Sequence, residues 1–115
     1  MIILEGYDHI SLTVGDLARS IAFYKDVFGF DILDQSSEFA KIQAGEIVIM
    51  LQVGEVAAQP AGNYVCFRID EQDFDDYLEE LEEAKIRFEE NSAGEDGPRM
   101  AMIMDPDGNR IIFAC

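Results

Sequence analysis

Residues Asp8 to Tyr24 join an alternating strand to a capped helix through a single tight turn, and this junction limits the possible folds more than any other stretch of the chain. In the strand, Ile10, Leu12 and Val14 fall on one face, and His9, Ser11 and Thr13 fall on the other. Asp16 supplies an N-cap, Leu17, Ile21, Tyr24 and Phe28 form an apolar stripe at helical spacing, and Gly29 ends the helix. His9 is the chain's only histidine, and its strand face points away from the core. An imidazole in that position looks into a cavity or into solvent.

Three short β-prone runs follow, Phe30 to Asp34, Phe39 to Gln43 and Glu46 to Gln52, and then a Gly- and Pro-containing linker from Gly54 to Gly62. The pattern restarts at Tyr64-Val65-Cys66-Phe67-Arg68-Ile69. A helix is expected over Asp70 to Ala84, with its main body at Glu71 to Ala84 and a buried stripe of Phe74, Leu78 and Leu81. Ile86 to Glu89 reads as a strand and Asn91 to Pro98 as a polar loop. Met100 to Met104 and Arg110 to Ala114 are the last strands, joined by the turn Asp105-Pro106-Asp107-Gly108-Asn109. The order β-α-β-β-β thus occurs twice, in module one (about 1–53) and module two (about 63–115) of a single domain. Two helices among about eight strands imply an α+β fold with a mixed sheet, not a doubly wound parallel one.

The formal net charge of −16 narrows the partners. Phosphate binding needs a basic footprint, so nucleic acid is excluded, and an anionic membrane surface is disfavoured on the same ground. A cationic ligand would be attracted. The acids are concentrated from Asp70 to Asp96, however, where a solvated helix face explains them equally well. With Lys25, Lys41 and Lys85 as its only lysines, the chain also suits a high-salt cytoplasm. Cys66 and Cys115 have neither CxxC nor zinc spacing and read as reduced thiols of a cytoplasmic protein. No apolar run approaches the length of a membrane span, and the N-terminus lacks a signal-peptide pattern.

Four pieces of sequence carry a family resemblance: His9-x-x-Leu12-x-Val14, Asp16-Leu17-x-x-Ser20-x-x-Phe23-Tyr24, Phe28-Gly29-Phe30 and the Asp105 to Asn109 turn. Together with the order of elements they resemble the vicinal oxygen chelate superfamily of glyoxalase I, bleomycin-resistance proteins and extradiol dioxygenases. The resemblance spans almost the whole chain. It implies two βαβββ modules forming a half-open, curved mixed sheet with helices on the outer face, a cup that dimerisation completes in small members. It also implies ligand positions, one on the first and one on the last strand of each module, which fall here on His9, Met50, Tyr64 and Ile112. The glyoxalase pattern has His or Gln, Glu, His or Glu, and Glu at these places. Met50 is a thioether, Tyr64 a phenol and Ile112 no donor at all, while Gln52 shares the strand face of Met50 and offers one carbonyl oxygen. A divalent ion needs three or four N, O or S donors in fixed geometry. No metal, other cofactor or catalytic residue is therefore expected.

The candidate ligand-binding residues are His9, Ser11, Met50, Gln52, Tyr64, Cys66, Arg68 and Ile112. Tyr64, Cys66 and Arg68 share a strand face that reads equally as a half-buried strand or as an aromatic wall with a cationic anchor for an acid. Met100, Met102 and Met104 read as wall and core filler. The expectation is a metal-independent, small-molecule-binding homodimer of the bleomycin-resistance type, with a cationic or aromatic ligand in the cup. The first alternative is a glyoxalase-like lyase or isomerase, or a dioxygenase, with an atypical metal set. The second is a role in protein interaction or ligand sensing.

Overall fold

The computed structural model describes residues 1–56, 63–92 and 98–115. The chain divides into two compact units, Met1–Ala57 and Ala58–Cys115.

In the first unit, β1 (Ile10–Val14) leads into α1 (Leu17–Phe28), followed by β2 (Asp31–Gln35), β3 (Phe39–Ala44) and β4 (Ile47–Val53). These strands form one sheet in the order β1-β4-β3-β2, with β1 parallel to β4 and the other pairs antiparallel. α1 starts where the Asp16 carboxylate accepts from the Arg19 backbone N–H, and it stops at Gly29, whose φ of 69° suits a residue without Cβ. Ser20 and Tyr24 are buried on the helix, and Val14, Ala40, Ile42, Ile49 and Leu51 are buried in the sheet. Past the cap, the Phe30 ring stacks on Phe28 with centroids 4.9 Å apart, which fixes the path from helix to β2. The motif Phe28-Gly29-Phe30 is thus a helix stop with an aromatic clasp.

The second unit repeats the plan. β5 (Val65–Arg68), a 3-10 turn (Glu71–Asp73), α2 (Phe74–Glu83), β6 (Phe88–Ser92), β7 (Arg99–Met104) and β8 (Arg110–Ala114) follow in order. The sheet order is β5-β8-β7-β6, with β5 parallel to β8. The expected α+β class and the doubled βαβββ order are both present, as two open four-stranded sheets.

The differences from expectation lie at element ends. β1 begins at Ile10, two residues later than expected, because the hydroxyl of Tyr7 occupies the edge of β4: Tyr7 Oη accepts from the Val48 N–H at 3.2 Å and donates to the Val48 carbonyl at 3.4 Å. The second helix opens with a 3-10 turn under the Asp70 cap, whose carboxylate accepts from Gln72 N–H. β6 starts at Phe88 instead of Ile86 because the helix end uses up the intervening residues. Lys85 has φ 59°, and the N–H groups of Lys85 and Ile86 return to the carbonyls of Glu82 and Leu81. Asn91 and Ser92, expected in a loop, belong to β6. Residues 57–62 of the expected linker and 93–97 of the expected loop lie outside the described residues.

Candidate functional site

The helix in each unit identifies the open sheet face. In the first, α1 packs on β3 and β4, where Ala40, Ile42, Ile49 and Leu51 are buried. Alternation therefore turns Ser11, Thr13, Lys41, Met50 and Gln52 to the other face. The ladders set them in rows: Ser11 beside Met50 beside Lys41, and Thr13 beside Gln52 beside Phe39. His9 precedes the first row by two residues and is exposed. Its Nδ1 donates to Asp8 Oδ2 at 2.6 Å. That bond, before any charge effect, holds the Asp8 carboxyl below its usual range, with a smaller contribution from Lys41.

In the second unit, Arg99 shows which face the helix covers. Its guanidinium lies 4.3 Å from the centroid of the Phe74 ring at the start of α2. It also bonds Asp75 at 2.9 Å and Glu90 at 2.8 Å. Those two carboxylates, Asp75 first, push the Arg99 pKa further up, so Arg99 remains a cation. Ala101 and Ile103 share its face and are buried, so Met100, Met102 and Met104 belong to the open face. The open-face rows run Cys66 beside Ile112 beside Met102, and Arg68 beside Ala114 beside Met100. Tyr64 precedes Cys66 by two residues and is 57% exposed.

The turn between β7 and β8 sets this register. The buried Asp105 carboxylate accepts from the Asp107 N–H at 2.9 Å and from the backbone N–H and side-chain amide of Asn109, each at 2.8 Å. Gly108 takes φ 84°, where a Cβ would be strained. With the turn closed, Met104 faces Arg110, and Ile112 falls between Cys66 and Met102.

The duplication extends to single positions. Ser11 pairs with Met50 on the parallel β1–β4 ladder as Cys66 pairs with Ile112 on the parallel β5–β8 ladder. His9 and Tyr64 each stand two residues before that pair. Ser11, Met50 and Gln52 thus share one open face, with His9 two residues before Ser11; Cys66, Arg68 and Ile112 share the other, with Tyr64 two residues before Cys66. Lys41 and Arg110 are open-face cations that the candidate list omitted. The alternation Phe39-Ala40-Lys41-Ile42 and the tight Asp105 to Asn109 turn would have revealed them. Among the described residues, no group of three or more His, Cys, Asp or Glu side chains is arranged to hold a metal ion. Along the carried-over positions the donors are one imidazole, one thioether and one phenol, which does not fit a glyoxalase-type metal centre.

A family profile described as Glyoxalase/Bleomycin resistance protein/Dioxygenase superfamily matches residues 6–113. The metallothiol transferase FosB of Staphylococcus haemolyticus is 26% identical over 113 residues, covering 94% of this chain and 81% of its own. A virulence protein of Salmonella typhimurium is 30% identical over 120 residues, covering 95% and 83%. Among solved structures, the fosfomycin resistance protein FosX of Listeria monocytogenes superposes with TM-score 0.87 at 20% identity, over 97% of this chain and 93% of that one. FosX of Mesorhizobium loti superposes with TM-score 0.80 at 25% identity, over 97% and 92%. Profile, relatives and sheet topology agree, and the chain belongs to the glyoxalase/bleomycin resistance protein/dioxygenase superfamily.

Proposed function

We propose that this chain is a metal-independent small-molecule-binding protein, of the kind represented in its superfamily by bleomycin-resistance proteins. The open sheet faces make the ligand contacts, and a second copy of the chain covers them. The carrying observation is the register that sets Ile112 between Cys66 and Met102. The position where a metal-dependent member has a carboxylate holds an alkyl side chain, flanked by a thiol and a thioether. Such a face supplies shape and apolar contact with a few polar anchors, as ligand sites commonly do. His9, Ser11, Met50 and Gln52 act as contacts on one face, and Tyr64, Cys66, Arg68 and Ile112 on the other. Two free cysteines accord with a reducing, cytoplasmic setting.

One observation favours a second reading, a metal-dependent transferase like the relatives named metallothiol transferase. The carboxylate of Asp8 holds the Nδ1 of His9, an arrangement that also orients metal-ligating histidines. A shell built on His9 would then need donors that the carried-over positions do not supply.

The test is a thermal-shift screen of small aromatic and acidic compounds, with and without a chelator. Ligand at a hundred times its dissociation constant adds about 2.7 kcal/mol. The proposal expects stabilising ligands whose effect survives chelation. Stabilisation that disappears with the chelator contradicts it.

A further inference from the structure

Resting on the binding role just proposed, we infer that the ligand of the second sheet is a small organic anion anchored by Arg68. The net charge of −16 alone suggests the opposite, a cation. The distribution of that charge reverses the expectation. β5, β7 and β8 contain three arginines and no Asp or Glu, in a chain with 24 acids. Arg99 is engaged on the helix face by Asp75 and Glu90. Arg68 lies on the open face, two residues along its strand from the Cys66–Ile112 pair. Two residues correspond to about 7 Å, within the span of a long side chain.

Arg68 carries the argument. It is exposed, and among the described residues its side chain has no hydrogen bond or ion pair. In so acidic a chain an exposed guanidinium with no ion pair among the described residues is unexpected, and a ligand carboxylate or phosphonate would give it the fork-shaped partner it matches best. The one acid in the Cys66 row is Glu89, on the far edge strand β6. Three strand spacings separate it from Cys66, about 14 Å, beyond the screening length at physiological salt. The first sheet differs: Lys41 lies beside Met50 on the open face, but its neighbour on β2 is Asp34.

The two scales of charge give a distinctive salt dependence. At low ionic strength the remote acids repel an incoming anion. Near 0.15 M salt their field is screened beyond about 8 Å, while contact with Arg68 survives. Anion binding should therefore strengthen from low to physiological salt, whereas binding of a cation would only weaken.

Isothermal titration with benzoate, phenylphosphonate, benzylamine and benzyl alcohol at low and at physiological salt tests the inference, using the parent protein, Arg68→Met and Lys25→Met. Lys25 lies exposed on α1 and its replacement changes the net charge by the same amount. The expected result is binding of an anion in preference to benzylamine and benzyl alcohol, stronger at physiological salt. Arg68→Met should weaken it about tenfold, and Lys25→Met should leave it unchanged. Equal or tighter binding of benzylamine or benzyl alcohol, or equal effects of the two variants, overturns the anion inference and leaves the small-molecule role standing. Binding of none of the four probes counts against both.

Discussion

Ile112 lies directly beside Cys66 across the parallel β5–β8 ladder, and Met50 lies beside Ser11 at the matching place on the β1–β4 ladder. Met50 and Ile112 thus put a thioether and an alkyl group at places where a metal-dependent relative would need a donor. The proposed binding role therefore depends on how the ladders are registered, and the turn between β7 and β8 registers one of them.

Asp105→Ala should destabilise the protein by about 2–4 kcal/mol, measured by urea denaturation. The change removes a buried acceptor of three hydrogen bonds and leaves the Asp107 and Asn109 donors without it. Asp105→Asn retains one acceptor oxygen and should lose less. Equal stability of parent and Asp105→Ala would show that the turn does not depend on this carboxylate.

Lys85 ends α2 at φ 59°, in the left-handed region that disfavours a side chain. Lys85→Gly should raise stability by about 0.5–1 kcal/mol, since relief of strain outweighs the added freedom of the unfolded chain. Lys85→Val should lower it, because a β-branched residue tolerates that φ least. Thermal unfolding of the two variants in parallel checks the order.

The Asp8 carboxyl, held below its usual range by the His9 hydrogen bond and then by charge, should titrate at lower pH than an unperturbed aspartate. A folded-state pKa below the unfolded value means that this contact favours the folded state above the unfolded pKa. The contribution is lost as pH falls through the folded one. Carboxyl carbon NMR should show the depression in the parent and its disappearance in His9→Ala. An Asp8 that titrates identically in both would contradict the contact.

The doubled βαβββ order was legible because each module advertises itself: strand alternation, an N-cap aspartate, a helical stripe and turn chemistry succeed one another at matching places. Element ends were less legible, for reasons that are long-range or strained. Nothing local announces that the Tyr7 hydroxyl substitutes for a strand partner of Val48, or that a lysine instead of a glycine would close α2. The faces of Ser11, Met50, Cys66 and Arg68 follow from alternation alone. Their neighbours depend on ladder register, so Met50 stands between Ser11 and Lys41, and Ile112 between Cys66 and Met102, only once the strands are paired.

The most direct measurement of the account is isothermal titration of the purified, chelator-treated protein with manganese(II), zinc, nickel and iron(II), in the parent and in His9→Ala. His9 is the one conventional donor among the four carried-over positions, and Ile112 supplies none. The account expects no stoichiometric submicromolar site in either protein, and thermal stability that the chelator leaves unchanged in both. A one-to-one submicromolar site in the parent that His9→Ala abolishes would contradict it, because each lost ligand opens a coordination position.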